Sequence, residues 1–149
     1  MRRGEWQMAN ILPQAALAAI DAVAIDCETT GLDARSARII QLGAVRIGGG
    51  ELVTASVFDQ LIDPGVAIPP ETTAVHGLTD DAVRGQPQFD AVAKPFLDFI
   101  GKRLIIGHTI QFDIAMLHRE CGLAGIDWLT PRVIDVRLLG RVAVPTLAA

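Results

Sequence analysis

The order of its apolar runs is the feature of this chain that most constrains its fold. Three short runs at residues 22–26, 39–47 and 52–62 are typical of β-strands. Only Gly48, Gly49 and Gly50 separate the second run from the third, which predicts a tight hairpin of antiparallel neighbours. Beyond residue 63, strand-like and helix-like patterns alternate. This order predicts an α/β domain with a mixed sheet and helices on both of its faces.

The alternating part of the chain supplies the remaining elements. After a proline-rich loop, Thr79 is expected to cap a short helix, and apolar residues at helical spacing predict a second helix over residues 89–100. Strands are expected at residues 104–106 and 133–136, with a helix over residues 110–121 between them and another over 137–142. The sheet is therefore mainly five-stranded. Residues 1–20 are expected to form an N-terminal leader, and residues 21–149 the domain.

Composition narrows the class of protein. The 149 residues, half of them hydrophobic, suit one globular domain, and no run approaches the roughly 18 apolar residues of a membrane span. The two cysteines have neither a disulfide framework nor metal-ligand spacing, which favours a reducing compartment and predicts a cytoplasmic protein. A net charge of −4 argues against wrapping duplex DNA with a basic face. It is compatible with a metal-dependent nuclease, because divalent cations neutralise clustered carboxylates.

Asp26 and Glu28 are two residues apart at the end of the first apolar run, so their side chains should share one face of the strand. No Lys or Arg occurs between residues 25 and 33 to pair with them. Carboxylate oxygens are ligands that suit magnesium or manganese. The alternative is that Asp26 ends the strand and Glu28 begins a solvated loop, and for an isolated Asp-x-Glu that alternative would be preferred.

The residues around this pair carry a family resemblance. The segment IDCETTGL at residues 25–32 resembles the first motif of the DEDD 3′-5′ exonuclease superfamily, which includes the proofreading subunits of bacterial replicative polymerases, oligoribonuclease and ribonuclease T. The resemblance implies a ribonuclease H-like fold. It also implies that Leu32 is an apolar wedge against the terminal base. Cys27 faces the other side of the strand and is expected to be a core thiol.

A second segment, GHTIQFD at residues 107–113, resembles the second motif of the same superfamily. Asp113 shares a helical stripe with Ile110, Ile114 and Leu117, so it should face the sheet. The alternative is an aspartate that merely interacts with its own helix N-terminus. The superfamily usually has Asn at the position of Thr109, where Thr would keep a helix N-cap and could alter a substrate contact.

Between these motifs, VHGLT at residues 75–79 resembles the His-Gly-Ile-Thr segment that lies beside the terminal nucleotide. Two interpretations of His76 are equally supported: a substrate contact, or a surface histidine in a turn. His118 is expected to be an ordinary helix residue without a catalytic part.

The resemblance implies a two-metal mechanism with Mg²⁺ or Mn²⁺, in which the 3′-terminal nucleotide leaves as a monophosphate. Asp26 would bridge both ions, Glu28 would hold the ion that carries the attacking water, and Asp113 would support the second ion. The substrate would be the 3′ end of single-stranded DNA or RNA. Eight residues would contact it: Thr29, Thr30, Gly31, Leu32, His76, His108, Thr109 and Phe112.

The superfamily also needs a third motif, His-x5-Asp or Tyr-x3-Asp, after the last strand. No His, Tyr, Asp or Glu follows Asp135 in this sequence. We therefore expect a C-terminally incomplete domain, whether as a fragment or as a natural truncation, with little activity of its own. The missing part would come from a longer polypeptide, a second copy or a complex.

The Thr-Gly of the first motif and the His-Gly-Leu-Thr segment at residues 76–79 favour the DEDDh branch of the superfamily, with its histidine-containing third motif. The main alternative to an enzyme is a non-catalytic module that binds nucleic-acid ends or a partner protein. A ribonuclease H-like nuclease that cuts internally ranks third.

Overall fold

The computed structural model describes residues 20–137, which form a five-stranded mixed sheet in the order β3-β2-β1-β4-β5. The predicted mixed sheet is confirmed. The strands are β1 (Ala22–Thr29), β2 (Ile39–Gly48), β3 (Glu51–Leu61), β4 (Leu104–Gly107) and β5 (Val133–Asp135). The predicted leader lies almost entirely outside the described residues. The predicted last helix begins at Val136, and its residues 138–142 lie outside as well.

Strand β1 lies at the centre of the sheet. It pairs antiparallel with β2 over its whole length and parallel with β4 over residues 22–24 only. Strands β2 and β3 form the predicted hairpin, in which Gly49 and Gly50 have φ values of 65° and 81°. A two-residue hairpin turn of type I′ requires positive φ at both of its central residues, and glycine adopts this conformation without steric cost.

The helices are α1 (Pro70–His76), α2 (Asp80–Val83), α3 (Phe89–Ile100) and α4 (Gln111–Leu123). Three of them match the predictions, and the Thr79 hydroxyl caps α2 by accepting from the N–H of Ala82. Of the two interpretations of His76, the one that placed it in a turn was wrong, because His76 is the last residue of α1. The signals for α1 are present in the sequence: Pro70 at the first helical position, and Gly77 at φ 77° after the last. No helix within residues 20–137 is long and apolar enough to cross a bilayer.

The main core lies between one face of the sheet and helices α3 and α4. Phe96 of α3 packs edge-on against the Phe58 ring of β3, with the ring centroids 5.1 Å apart. The fully buried side chains of this core include Val23, Leu42, Phe96, Ile100, Ile105, Ile110, Met116 and Leu117. Helix α2 packs separately, through Val83, against Ile40 and Ile68. Burial of these side chains is the main force that fixes α4 against β1.

An ion pair anchors the loop after β1 to helix α4. Arg38 donates from Nε and Nη2 to the two carboxylate oxygens of Glu120, at 2.7 and 3.1 Å, and Glu120 is only 1% exposed. The Ile39 N–H donates to the same carboxylate at 3.2 Å. At the other end of the loop, the Thr30 hydroxyl accepts from the Arg38 N–H at 2.9 Å. A buried carboxylate with this many donors holds residues 30–38 against α4.

Gly107, at the end of β4, lies close to the backbone of β1. A Cβ atom at this position would lie 2.5 Å from Cδ1 of Ile110 and 3.0 Å from the carbonyl oxygen of Ile25. The second of these is backbone and has little freedom to move. Only glycine therefore fits here without separating the two strand ends.

We expect Gly107→Ala to lower the free energy of unfolding by about 1 to 3 kcal/mol, because the added methyl group overpacks this junction. The matched control is Gly122→Ala in α4, where a Cβ meets nothing within 4 Å. Helix propensity should make that change neutral or stabilising by up to about 1 kcal/mol. Urea denaturation of both variants measures the difference. Equal stability of the two variants would contradict the close approach at Gly107.

Candidate active site

Strand β1 carries two of the three predicted metal-binding carboxylates. Asp26 is exposed, Glu28 is partly exposed and Cys27 between them is buried in the core, as the alternation of a strand requires. Glu28 lies inside β1, which continues to Thr29, so the alternative of a solvated loop at Glu28 was wrong. The two acids are therefore on the face of β1 that points away from α3 and α4.

Asp113 reaches the same place from the first turn of α4. It is 5% exposed, and its Oδ1 accepts a hydrogen bond from the backbone N–H of Cys27 at 2.9 Å, across 86 positions of sequence. The parallel pairing with β4 ends at Ala24, which leaves this side of β1 without a strand neighbour. The alternative of an aspartate that interacts only with its own helix is thereby excluded. Asp113 is joined to the residue between Asp26 and Glu28.

One cavity of about 810 Å³ connects the two predicted motifs. Asp26, Glu28 and Asp113 all line it. So do the eight residues predicted to contact substrate: Thr29, Thr30, Gly31, Leu32, His76, His108, Thr109 and Phe112. Helix α1 adds Glu71, Thr72 and Val75, which sequence reasoning missed because it did not predict that helix.

The electrostatics of the cavity leave its carboxylates without a cationic partner. Burial, and then the negative charge of Asp26, raise the pKa of Asp113 to about 6. Among residues 20–137, no ion pair involves Asp26, Glu28 or Asp113. Within the same residues, no three His, Cys, Asp or Glu side chains are gathered closely enough to hold a metal. The donor set consists of carboxylate oxygens, which fits a hard divalent cation.

Two apolar side chains on the cavity wall are unusually exposed. Leu32, after β1, is 90% exposed, and Val75, in α1, is 85% exposed. Side chains of this kind on two different elements of one cavity suit a flat apolar ligand such as a nucleobase.

His76 has a defined tautomer. Its Nδ1 accepts from the Leu78 N–H at 3.0 Å, so in the neutral ring the proton is on Nε2. Nε2 is buried and has no hydrogen-bond partner in the described part of the protein. This histidine therefore has an unused donor in a residue that lines the cavity.

Thr109 does not cap α4 as predicted. Its φ of 54° is left-handed, and Ile110 occupies the N-cap position without any side-chain cap hydrogen bond. His118 is placed as expected: it is exposed, makes a hydrogen bond to Thr130, packs against the Trp128 ring and does not line the cavity.

Similarity to known proteins shows the family to which this chain belongs. The exonuclease family model (RNase_T) matches residues 23–149. The chain belongs to this exonuclease family. A DNA polymerase III PolC-type protein of Clostridium perfringens is 34% identical over 125 residues, which are 84% of the chain and 8% of that protein. The DNA polymerase III subunit epsilon of Treponema pallidum is 33% identical over 124 residues, which are 83% of the chain and 57% of the subunit.

The fold also matches a solved exonuclease. Exonuclease I of E. coli, in complex with a dA16 oligonucleotide, superimposes with a TM-score of 0.74 at 18% identity, over 83% of this chain and 30% of that one. The predicted DEDD superfamily and ribonuclease H-like fold are thus confirmed. Exonucleases of this kind generally use divalent metals. The chain spans less than two thirds of the relatives it matches, and the roles of its site residues stay predictions.

The raised pKa of Asp113 predicts how the stability of the metal-free exonuclease domain changes with pH. Folding raises this pKa from its ordinary 3.8 to about 6, so the folded state binds the proton more tightly. Stability should therefore fall as pH rises from about 4 to 6 and stay reduced above that range. Asp113→Asn keeps an acceptor for the Cys27 N–H and removes the charge. In EDTA it should be more stable than wild type at pH 7, by roughly 1 to 3 kcal/mol, but not at pH 4.

Urea denaturation at the two pH values tests this expectation. Glu51→Gln, an exposed carboxylate in the β2–β3 hairpin, is the control that should leave the difference between the pH values unchanged. If Asp113→Asn is no more stable than wild type at pH 7, its surroundings do not disfavour the ionised carboxylate of Asp113.

Proposed function

We propose that this chain is the metal-binding and end-binding core of a 3′-5′ exonuclease that acts on single-stranded nucleic acid. The observation that carries the proposal is the shared cavity. Three carboxylates from two distant segments line it together with the exposed apolar side chains of Leu32 and Val75. Carboxylates alone would suit many kinds of metal site. Carboxylates beside exposed apolar side chains suit a ligand that has both a phosphodiester group and a base.

Asp26, Glu28 and Asp113 would hold two divalent ions, Mg²⁺ or Mn²⁺. Binding would require the side chains of Asp26 and Glu28 to turn towards Asp113, because within residues 20–137 no three such side chains are close enough to hold an ion as they stand. Bound there, the ions would lower the pKa of a water molecule and stabilise the charge that develops on the scissile phosphate. The residues of the chain hold and orient the groups that would bind these ions. The carboxylates of Asp26, which is exposed, and Glu28, which is partly exposed, lie on the face of the sheet away from α3 and α4. Asp113 is oriented by the hydrogen bond that it accepts from the Cys27 N–H.

The walls of the cavity would position the terminal nucleotide. Leu32 and Val75 would contact the faces of the base, and the Nε2–H of His76 would donate to an acceptor on the nucleotide. Thr29, Thr30, Gly31, His108, Thr109 and Phe112 line the same cavity and would form further contacts with the nucleotide. The product would be a nucleoside monophosphate.

The mechanism also needs a proton acceptor for the attacking water. Two histidines of this chain line the cavity, His76 and His108, and they are its candidates for this base; His76 would first have to give up the hydrogen bond that its Nδ1 accepts from the Leu78 N–H. A second candidate function is the binding of nucleic-acid ends without cleavage. The exposed apolar side chains of Leu32 and Val75 favour it, because they can contact a base whether or not the strand is cut.

The proposed partners follow from the relatives. Those described above are polymerase III proteins longer than this chain, so we propose that the domain works within a larger polypeptide or complex. Cys27 and Cys121 are both buried and free, which suits a reducing compartment such as the cytoplasm.

Manganese should raise the melting temperature of the wild-type chain, because it relieves the repulsion among the three carboxylates. Asp26→Ala should lose most of this shift, and Glu51→Ala should keep it. Thermal melts in EDTA and in millimolar Mn²⁺ provide the measurement. Equal shifts in wild type and in Asp26→Ala would show that Asp26 holds no metal.

Mononucleotide release from a 3′-labelled single strand in Mn²⁺ tests cleavage. We expect release that depends on metal and is abolished by Asp26→Ala. Without a positioned base, the 149-residue chain should be slower than a fully equipped exonuclease by roughly 10² to 10⁴. Metal-dependent binding of the strand without Asp26-dependent release would support the second candidate. Failure of both binding and release would refute both functions.

Rapid turnover by the 149-residue chain would instead identify a base within it. His76→Ala and His108→Ala would then separate the two candidates.

A further inference from the structure

We propose that Asp135 is a positioning residue for the segment at residues 107–113. In this proposal its carboxylate holds Thr109 in the left-handed conformation from which α4 and Asp113 begin. The expected effect on ligand binding rests on the proposed function, whereas the expected effect on the segment itself does not.

The first observation is the backbone of Thr109. Its φ of 54° is the only positive value among the non-glycine residues of the described chain. A β-branched side chain is unfavourable in this region, so such a residue persists only where its surroundings hold it. Thr109 lines the cavity, which is where conformations of this kind tend to have a functional reason.

The second observation is the contact that holds it. Oδ1 of Asp135 accepts from the backbone N–H of Thr109 at 3.1 Å and from that of Arg137 at 2.9 Å. Asp135 is opposite Gly107 in the parallel pairing of β5 with β4. The carboxylate therefore extends from the paired end of one strand to the loop that leaves its neighbour.

The third observation is what the conformation of Thr109 determines. His108 and Thr109 are exposed to the cavity, and the next residue, Ile110, is fully buried. A left-handed residue makes this change of direction within one position. The Thr109 carbonyl then accepts from the Phe112 N–H at 3.1 Å, which closes the turn that begins α4.

These contacts form a connected path from β5 to the metal-binding acids. Asp135 holds the N–H of Thr109, the Thr109 carbonyl sets the first turn of α4, and Asp113 in that turn accepts from the Cys27 N–H. Release of Thr109 should therefore displace Asp113 as well as the cavity wall. The simpler alternative is that Asp135 only caps the chain at Arg137, in which case the state of Thr109 is irrelevant to the site.

The experiment uses the whole chain with Asp135→Ala, Asp135→Asn and the double variant Asp135→Ala/Thr109→Asn. Asn keeps an acceptor oxygen at position 135, and at position 109 it adopts the left-handed region far more readily than Thr. Amide hydrogen exchange by NMR is the first measurement, because it needs no activity. We expect Asp135→Ala to reduce protection of the Phe112 and Cys27 amides by about tenfold, the effect of one charge-assisted hydrogen bond. The double variant should regain most of it.

Binding of deoxythymidine 5′-monophosphate in Mn²⁺ is the second measurement. Asp135→Ala should weaken the affinity by about tenfold. Asp135→Asn should stay close to wild type. The double variant is tested by hydrogen exchange alone, because residue 109 itself lines the cavity. Val92→Ala, a cavity-forming change in the core of α3, is the control for general destabilisation. Adding Thr109→Asn to Val92→Ala should not restore its amide protection.

The outcomes separate this proposal from the proposed function. Suppose that the variants show the predicted hydrogen-exchange pattern but the wild type binds no nucleotide. This result would support the role of Asp135 and count against the exonuclease site. A wild type that binds nucleotide, with unchanged affinity and exchange in Asp135→Ala, would overturn the role of Asp135 alone. Loss of protection spread evenly over the sheet and not rescued by Thr109→Asn would also overturn it.

Discussion

The hydrogen bond from the Cys27 amide to the Asp113 carboxylate is the contact on which the whole site depends. It joins the first turn of α4 to the one residue of β1 that lies between Asp26 and Glu28. The contact forms because the parallel pairing of β1 with β4 ends early, which leaves that amide without a strand partner. It also needs the absence of a side chain at Gly107, since any Cβ there would push the end of β4 away from Ile25.

The two walls of the cavity are held by charged groups that do not themselves line it. The buried pair of Arg38 and Glu120 fixes the loop that carries Leu32 against α4, and Asp135 fixes the loop that carries Thr109. Loops that surround a ligand are exposed and bury little apolar surface, so packing alone cannot keep them in place. Charge-assisted hydrogen bonds to neighbouring elements supply the missing constraint.

Negative charge in the cavity lowers the stability of the fold when no cation is bound. Burial and the nearby Asp26 raise the pKa of Asp113, and in the described chain no Arg or Lys compensates. Every arginine that the fold buries in part is used elsewhere, as Arg38 is with Glu120. The ionised carboxylate of Asp113 therefore lowers the stability of the folded domain, a cost that is common at functional sites. Family membership makes this cost intelligible, because exonucleases of this kind use divalent ions.

The sequence by itself determined the strands, the helix over residues 89–100 and the side of β1 on which Asp26 and Glu28 lie, because periodicity and a strong first motif are local signals. It also placed Asp113 on the buried stripe of its helix. Helix α1 was missed although its proline and glycine signals were present. Only the tertiary structure decided that α1 completes the cavity, that Thr109 is left-handed and that Asp135 holds it. Those features depend on contacts between strands and loops far apart in sequence, and no local pattern encodes a distance of that kind.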